Sequence, residues 1–388
     1  MSNESFLTLL DDRIKPAGSR DPLGFQTIWV KLGRDIVGDN LTTITSSIDN
    51  FIITLLACYY SFPEQDKNKK MDTFFKVEQL GAYFRVSYKE KEDKKYETSI
   101  MGITKAEINF KLDEIELGEN NQIFGKQQTS GLWGYYTSSL VKSKLINEDK
   151  IALTITGKKI IQKFLQIINI EPLIEKNTIN KTIIVDNSKK FIKALNSVYD
   201  DVANEILNNS NYKIYSDYAI PFFQTLEEHD YKNFYKWVIK EENNFSKKLK
   251  DVRSIDMSLW VTSRIFDFCR SKDKVSIEDV VDEIKKSPIT QIQNLESVEV
   301  IKIFIDYWNK QEYKNAVIEV LNMHESAMKN RKATDWIKSN NGILNVKVSS
   351  TKGLPSEIKE DDWQYNYFLY SYLNIAYEVW LQGNSNDK

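Results

Sequence analysis

The sequence predicts a mainly α-helical protein of more than one domain, with a small β-strand pair near its C-terminus. Three observations carry that expectation. No glycine occurs between Gly157 and Gly342, and the interval holds only Pro172, Pro221 and Pro288, so tight hairpins lack the residues that build them. Within it, apolar residues recur at helical spacing over residues 189–207, 231–250, 259–270 and 301–328. The strand-like stretch that follows is 342–348, Gly-Ile-Leu-Asn-Val-Lys-Val, with a turn at 353–355. No fixed period repeats along the helices, which argues against a solenoid.

At 388 residues, with 41% apolar and 12% aromatic side chains, the chain can bury a substantial core in two or three domains. A short helical start covers residues 1–12. Residues 13–40 change texture: Gly18, Gly24, Gly33 and Gly38 fall there with Pro16 and Pro22, which predicts an irregular, tightly turning segment. Arg13, Lys15, Arg20, Lys31 and Arg34 are interleaved with Phe25 and Trp29. Two readings stay open. Backbone amides with Arg13, Lys15, Arg20 and Arg34 suit a phosphate-binding loop. Arginines paired to Asp12, Asp21 and Asp35 suit a surface loop.

Residues 41–60 read as a helix with the stripe Ile44, Ile48, Phe51, Ile52, Leu55, Leu56 and Tyr59, capped by Asn40 and stopped before Pro63. A polar linker at 67–70 precedes a helix over 72–88, with Phe75, Leu80, Tyr83 and Phe84 inward. Residues 90–97 form a solvated charge run, and 104–115 a further helix. Ser276 opens another. Residues 363–380 form an aromatic-rich helix suited to a core or a partner interface, ended by Gly383.

Charge and rare residues exclude several classes. The net charge of −2 excludes a uniformly basic nucleic-acid binder but permits a local patch. Between residues 122 and 163, Lys126, Lys142, Lys144, Lys150, Lys158, Lys159 and Lys163 face only Glu148 and Asp149, a local charge of +5. Cys58 and Cys269 sit in apolar helical patterns and read as buried, reduced thiols. With His229 and His324 the only histidines, no zinc spacing exists, and no cofactor or metal is expected. His229 lies in an acidic, exposed-looking turn and His324 in a helix beside Glu325; no nucleophile-elbow motif accompanies them. Thr156-Gly157-Lys158-Lys159 lacks the upstream glycine of a P-loop. Two weak carboxylate sites stand out for metal-dependent cleavage: Asp335 with Lys347, where Asn345 replaces a wanted acid, and Asp113 with Glu116. The N-terminus has no signal-peptide pattern, and the most apolar run, 51–60, is too short to span a bilayer. A soluble, cytoplasmic protein is expected.

Residues 130–166 are the most informative stretch. Leu140, Val141 and Leu145, then Ile160, Ile161, Phe164 and Leu165, recur at helical spacing around an Asn-Glu-Asp-Lys turn. A brief strand at 151–153 follows the turn, and Thr156 reads as the cap of the second helix. The run Leu140 to Ile146, then Leu153-Thr154, then Gly157, resembles the recognition helix, wing and following helix of winged helix-turn-helix DNA-binding proteins. The resemblance covers about a tenth of the chain and implies contact with double-stranded DNA through the helix at 132–144. Tyr135, Tyr136, Thr137 and Ser138 would face base edges or phosphates, and Lys142, Lys144, Lys150, Lys158 and Lys159 phosphates. The whole also resembles bacterial proteins found among phage-defence and mobile-element genes.

The expected organisation is therefore a helical domain with the Gly-rich loop over 1–100, a winged-helix-like unit over 101–170, and a helical partner-binding domain over 171–388. The expected function is a non-catalytic DNA-binding adaptor that joins other protein subunits away from membranes, with a role in anti-phage defence implied by the resemblance. A divergent metal-dependent nuclease and a scaffold with a purely structural winged helix are the alternatives.

Overall fold

From Gly157 to Gly342 the described residues of the computed structural model are mostly helical, interrupted by two short strands, Thr178–Asn180 and Ile337–Asn340. The structure describes residues 21–93, 99–148, 152–225, 228–358 and 364–385. In chain order the first elements are α1 (Gln26–Val37), α2 (Ile48–Ser61), α3 (Lys67–Lys91), α4 (Ile103–Asn109), β1 (Glu114–Glu116), α5 (Gln127–Ser130), α6 (Leu132–Lys142), α7 (Ile155–Leu165) and α8 (Glu171–Ile174). Then come β2 (Thr178–Asn180), α9 (Lys181–Asn208), α10 (Tyr212–Ile214), α11 (Ile220–Thr225), α12 (Tyr231–Val238) and α13 (Asn244–Arg270). The last are α14 (Ile277–Lys286), α15 (Lys302–Asn309), α16 (Tyr313–Asn330), β3 (Ile337–Asn340), β4 (Ile343–Val346) and α17 (Leu369–Ser385). The protein is mainly helical, with two small antiparallel sheets, β1–β2 and β3–β4.

The chain divides into two compact units that do not follow the expected boundaries. One joins the N-terminal residues through Leu32 with Ile239–Tyr365; the other comprises Gly33–Val238 and Asn366–Lys388. The expected boundaries at 100 and 170 both fall inside the second unit. There α9 packs on α2, α3 and α7, and β2 pairs with β1 in the register Ile115 to Ile179.

In this second unit α2 and α3 form the central helical pair. Ile48 to Cys58 of α2 are all buried, and Met71 to Ser87 of α3 are buried apart from Asp72 and Thr73. A helix buried on every face has no solvent side for its polar groups, so Lys76, Glu78, Gln79 and Arg85 of α3 are bonded within the protein. In the same unit the Tyr199 hydroxyl of α9 donates to Glu378 of α17. Burial, reinforced by the Asp49 carboxylate, pushes the Glu378 carboxyl up to about 7.

Several local expectations change. The segment at 13–40 is not an irregular loop where it is described, because α1 occupies 26–37. Asp21 caps it, accepting from the backbone of Phe25 at 2.8 Å and Gln26 at 3.0 Å, and pairs with Arg331 rather than with a neighbouring arginine. Gly33 is a packing residue: a Cβ there would lie 2.9 Å from the Phe368 ring. The stripe at 41–60 starts its helix only at Ile48, with Ser47 at the N-cap position making no side-chain capping bond, while Asn40 is buried and donates to Ile206 O at 2.8 Å and Ser143 Oγ at 3.1 Å. Residues 67–70 are the first turn of α3, capped by Asp66, and 104–115 divides into α4 and β1. Cys58 and Cys269 are free and buried, and burial pushes both thiols up to about 12.

The first unit has its own apolar core, with Trp260, Phe266, Ile284, Phe304, Trp308 and Val320 among its buried members. Its buried polar groups act as clasps. Asp256 of α13, fully buried, accepts from the backbone of Gln364 at 2.9 Å and Tyr365 at 3.2 Å. His324 of α16 is buried between two chain segments. Its Nδ1 donates to Pro22 O at 2.9 Å and its Nε2 accepts from Trp336 N at 2.8 Å, which makes it the neutral tautomer.

Burial holds the His324 imidazole below its ordinary value of 6.5. The unfolded chain thus binds a proton that the fold refuses, so its contribution to stability is complete above about pH 6.5 and lost as pH falls below it. Glu78 and Glu378, held up to about 7, act in the opposite sense. The difference between wild type and His324→Gln therefore isolates the effect. Urea midpoints between about pH 7.5 and 5.5 should show the wild-type advantage shrinking as pH falls; a constant advantage would assign His324 a packing role alone.

Candidate nucleic-acid interface

Helix α6 is placed by buried polar groups on α2 and α3. At its start the Leu132 N–H, left without an intrahelical partner, donates to Glu78 Oε1 at 2.8 Å. Gln127 Nε2 donates to Glu78 Oε2 at 2.8 Å. Burial pushes the Glu78 carboxyl up to about 7 even against these donors. One turn on, the Tyr136 hydroxyl donates to Ile44 O at 3.1 Å and accepts from Asn50 Nδ2 at 3.2 Å, while Arg85 donates to Asn50 Oδ1 at 3.0 Å. Rings complete the seat: Tyr136 is edge-on to Phe51 and Trp133 edge-on to Phe74.

The opposite face of α6 is open. Gly134, Ser138 and Lys142 fall at i, i+4 and i+8 and are exposed, with Tyr135 and Thr137 half-buried beside them. The Thr137 hydroxyl donates back to Trp133 O at 2.6 Å. The helix ends at Lys142 as Lys144 turns into the left-handed region at φ 58°. A short hairpin follows. Ile146 bridges Leu153, Asn147 N donates to Ala152 O at 2.7 Å, and Thr154 N returns to Leu145 O at 3.0 Å. Thr154 then caps α7, accepting from Gly157 N at 3.2 Å and donating to Lys144 O at 2.9 Å. Gly157 is obligatory at this close approach, since a Cβ would lie 2.3 Å from Leu145 O.

The expected site residues fare unequally. Ser138, Lys142, Lys144, Lys158 and Lys159 are exposed and Tyr135 is partly exposed, as DNA contact needs. Tyr136 is not: it is 1% exposed and its hydroxyl is committed to the core, so its assignment to base edges is corrected. The α7 cap is Thr154 rather than Thr156. Lys150, Arg13, Lys15 and Arg20 lie outside the described residues. Arg34 belongs to the last turn of α1, 3.8 Å from Asp39, with both side chains exposed. Ile155, 76% exposed at the first position of α7, escaped the sequence reading because an isolated apolar residue at a helix start reads as buried.

β1 pairs with β2 rather than with the hairpin, and α5 has only four residues before α6.

The carboxylate sites do not assemble. Asp335 is paired with Lys338 at 2.8 Å, and Asn345 accepts from the Lys274 ammonium. Asp113 and Glu116 are exposed at β1. Among the described residues no group of three or more His, Cys, Asp or Glu is placed to hold a metal ion. His229 is no exposed turn residue, being ringed by Phe222, Phe223, Tyr377 and Trp380.

Comparison with family models, curated proteins and solved structures finds no match for this chain.

The two adjacent tyrosines of α6 provide a direct check. Tyr136→Phe leaves Ile44 O and Asn50 Nδ2 short of a buried partner and should cost about 1–3 kcal/mol in a urea melt. Tyr135→Phe, on the half-exposed face, should stay within about 0.5 kcal/mol. Equal effects would show that Tyr136 does not anchor the helix.

Proposed function

We propose that the protein is a non-catalytic, duplex-DNA-binding adaptor that presents α6 and the following hairpin to DNA and joins other protein subunits. The observation that carries this reading is the division of α6: one face locked by Glu78 and Tyr136, the other presenting Tyr135, Ser138 and Lys142 in a row. A rigid helix with a polar outer row can enter a major groove without paying for its own ordering.

The flanking cations support it. Lys144 follows the helix, and Lys158 and Lys159 sit in the opening turns of α7, all exposed. Cations near a helix N-terminus oppose the macrodipole, so helix stability does not explain them. None of the four lysines at 142, 144, 158 and 159 makes an ion pair among the described residues. Phosphates are the complementary ligand.

Fluorescence anisotropy with a random-sequence duplex across a salt series tests the reading. Each phosphate contact contributes about 0.9 to the slope of log affinity against log salt. Replacing Lys142, Lys144 and Lys158 together with Gln should flatten the slope by roughly two to three units and leave the melting temperature within a few degrees. An unchanged slope, or a parent protein that does not bind the duplex, retires the proposal.

A further inference from the structure

The outward side of α7 carries a residue that packing does not account for. Gly157, Ile160, Ile161 and Phe164 are the buried side of this helix. Ile155 falls on the side away from them and is 76% exposed, more than any other large apolar residue described. Lys158 and Lys159, three and four residues on, are its neighbours on the helix surface, and both are exposed. An isoleucine thus stands between two cations on the face assigned to DNA.

Lys158 also lines a cavity of about 560 Å³ between α7 and the end of α2. Its apolar walls include Tyr59, Tyr60, Phe62 and Leu165. The two tyrosine rings are half-buried, 5.1 Å apart and nearly perpendicular, and Phe62 is 40% exposed. The Tyr60 hydroxyl donates to Asn169 Oδ1 at 3.0 Å, which holds that ring in place. Two carboxylates, Glu64 and Glu171, complete the lining opposite in charge to Lys158. These groups together limit the ligand. Aromatic walls suit a flat π-face. Ionised carboxylates only accept, so the edge that meets them must donate. Lys158 asks for an anion. An organic cation would satisfy the rings and the carboxylates but set its charge against Lys158. A nucleotide satisfies all three, with its base at the rings, an exocyclic amine at a carboxylate and its phosphate on Lys158.

We propose that this cavity takes the base of one unpaired nucleotide in duplex DNA, and that Ile155 wedges into the gap the base leaves in the stack. The inference rests on the DNA reading and narrows its substrate to a duplex interrupted by an unpaired nucleotide. Extruding a paired base is costly and an unpaired one is not, so a fully paired duplex leaves the cavity empty. Apolar side chains inserted between base steps are an established way to hold such a gap open. The carboxylates favour cytosine, adenine or guanine over thymine, which has no exocyclic amine. One nucleotide enters and a strand does not follow it. The adjoining cavity shares Tyr60, Glu64 and Glu171 and adds Asp72, Glu119 and Glu175. Its five carboxylates face only Lys69 and Lys76, a net charge of −3 that repels further phosphates.

The test compares, by anisotropy on the full chain, a duplex with one bulged cytosine and the same duplex fully paired. The bulged duplex should bind about tenfold tighter or more. A bulged thymine should recover only part of that gain. Phe62→Ala should erase the preference while leaving the affinity for the paired duplex, its salt slope and the melting temperature unchanged. If Phe62→Ala melts early, Ile155→Ser, at the most exposed position, serves in its place with the same expected loss. A 2-aminopurine at the bulge should change its fluorescence on binding to wild type and not to Phe62→Ala. Equal affinity for the two duplexes, or a preference that survives both variants, overturns the inference and leaves the DNA reading standing; a protein that binds no duplex retires both. Millimolar dCMP that abolishes the preference assigns the cavity to a free nucleotide instead. Calorimetry without DNA that finds Phe62-dependent binding of spermidine assigns it to an organic cation, and either result overturns the proposal.

Discussion

The second unit depends on one constraint: α3 is surrounded, yet its sequence carries charged and amide side chains at the centre. Each such group loses its water on folding and must regain every bond inside the protein. Lys76 finds Asn177, Gln79 finds Gly118 O and Gln127, Glu78 finds Leu132 N, and Arg85 finds Asn50. These bonds are directional in a way apolar packing is not. They fix the start of α6 and, through Asn50 and Tyr136, its rotation about its own axis. Apolar contacts alone would hold α6 against α2 at several rotations of similar energy; the Glu78 and Tyr136 bonds admit one.

That is also why sequence reading reached the elements sooner than their roles. The glycine-free interval and the 3.6-residue stripes announce helices, and the hairpin at residues 146–153 is marked by its turn residues. Burial of polar residues leaves no comparable mark. Tyr136 and Tyr135 are neighbours of one type, and nothing local says that the first enters the core and the second stays near solvent. Asn40 reads as a helix cap because asparagine usually is one; its bond to Ile206 O lies 166 residues away in the chain. Gly33 reads as a turn residue, but the ring of Phe368 explains it. In each case the deciding partner is distant in sequence, and spacing arguments see only near neighbours.

The first unit handles its buried polar groups differently. Asp256 and His324 each bond backbone groups from remote segments, at Gln364 and Tyr365 for one and Pro22 and Trp336 for the other. Backbone partners exist whatever the side chains of those segments are, so the clasps constrain the path of the chain rather than its composition. Arg270 follows the same logic, donating to Val348 O at 2.8 Å while its guanidinium lies over Trp336. The His324 and Arg270 clasps flank the β3–β4 hairpin at its two ends, at Trp336 and Val348, although two four-residue strands have little cooperativity of their own.

Charge is distributed with a different economy. The whole chain carries −2 and residues 122–163 carry +5, so the remaining residues carry −7. For a polyanion this is an oriented object, repelled by most of the surface and attracted by one segment. At physiological ionic strength the screening length is about 8 Å, so the asymmetry acts only over the last approach. In the proposed DNA complex, orientation and affinity would come from the same few lysines, and the buried bonds that seat α6 would set where Lys142 sits. Exposed lysines alone would give a patch that follows the DNA backbone without register; in the proposed complex the locked helix beside them would supply one.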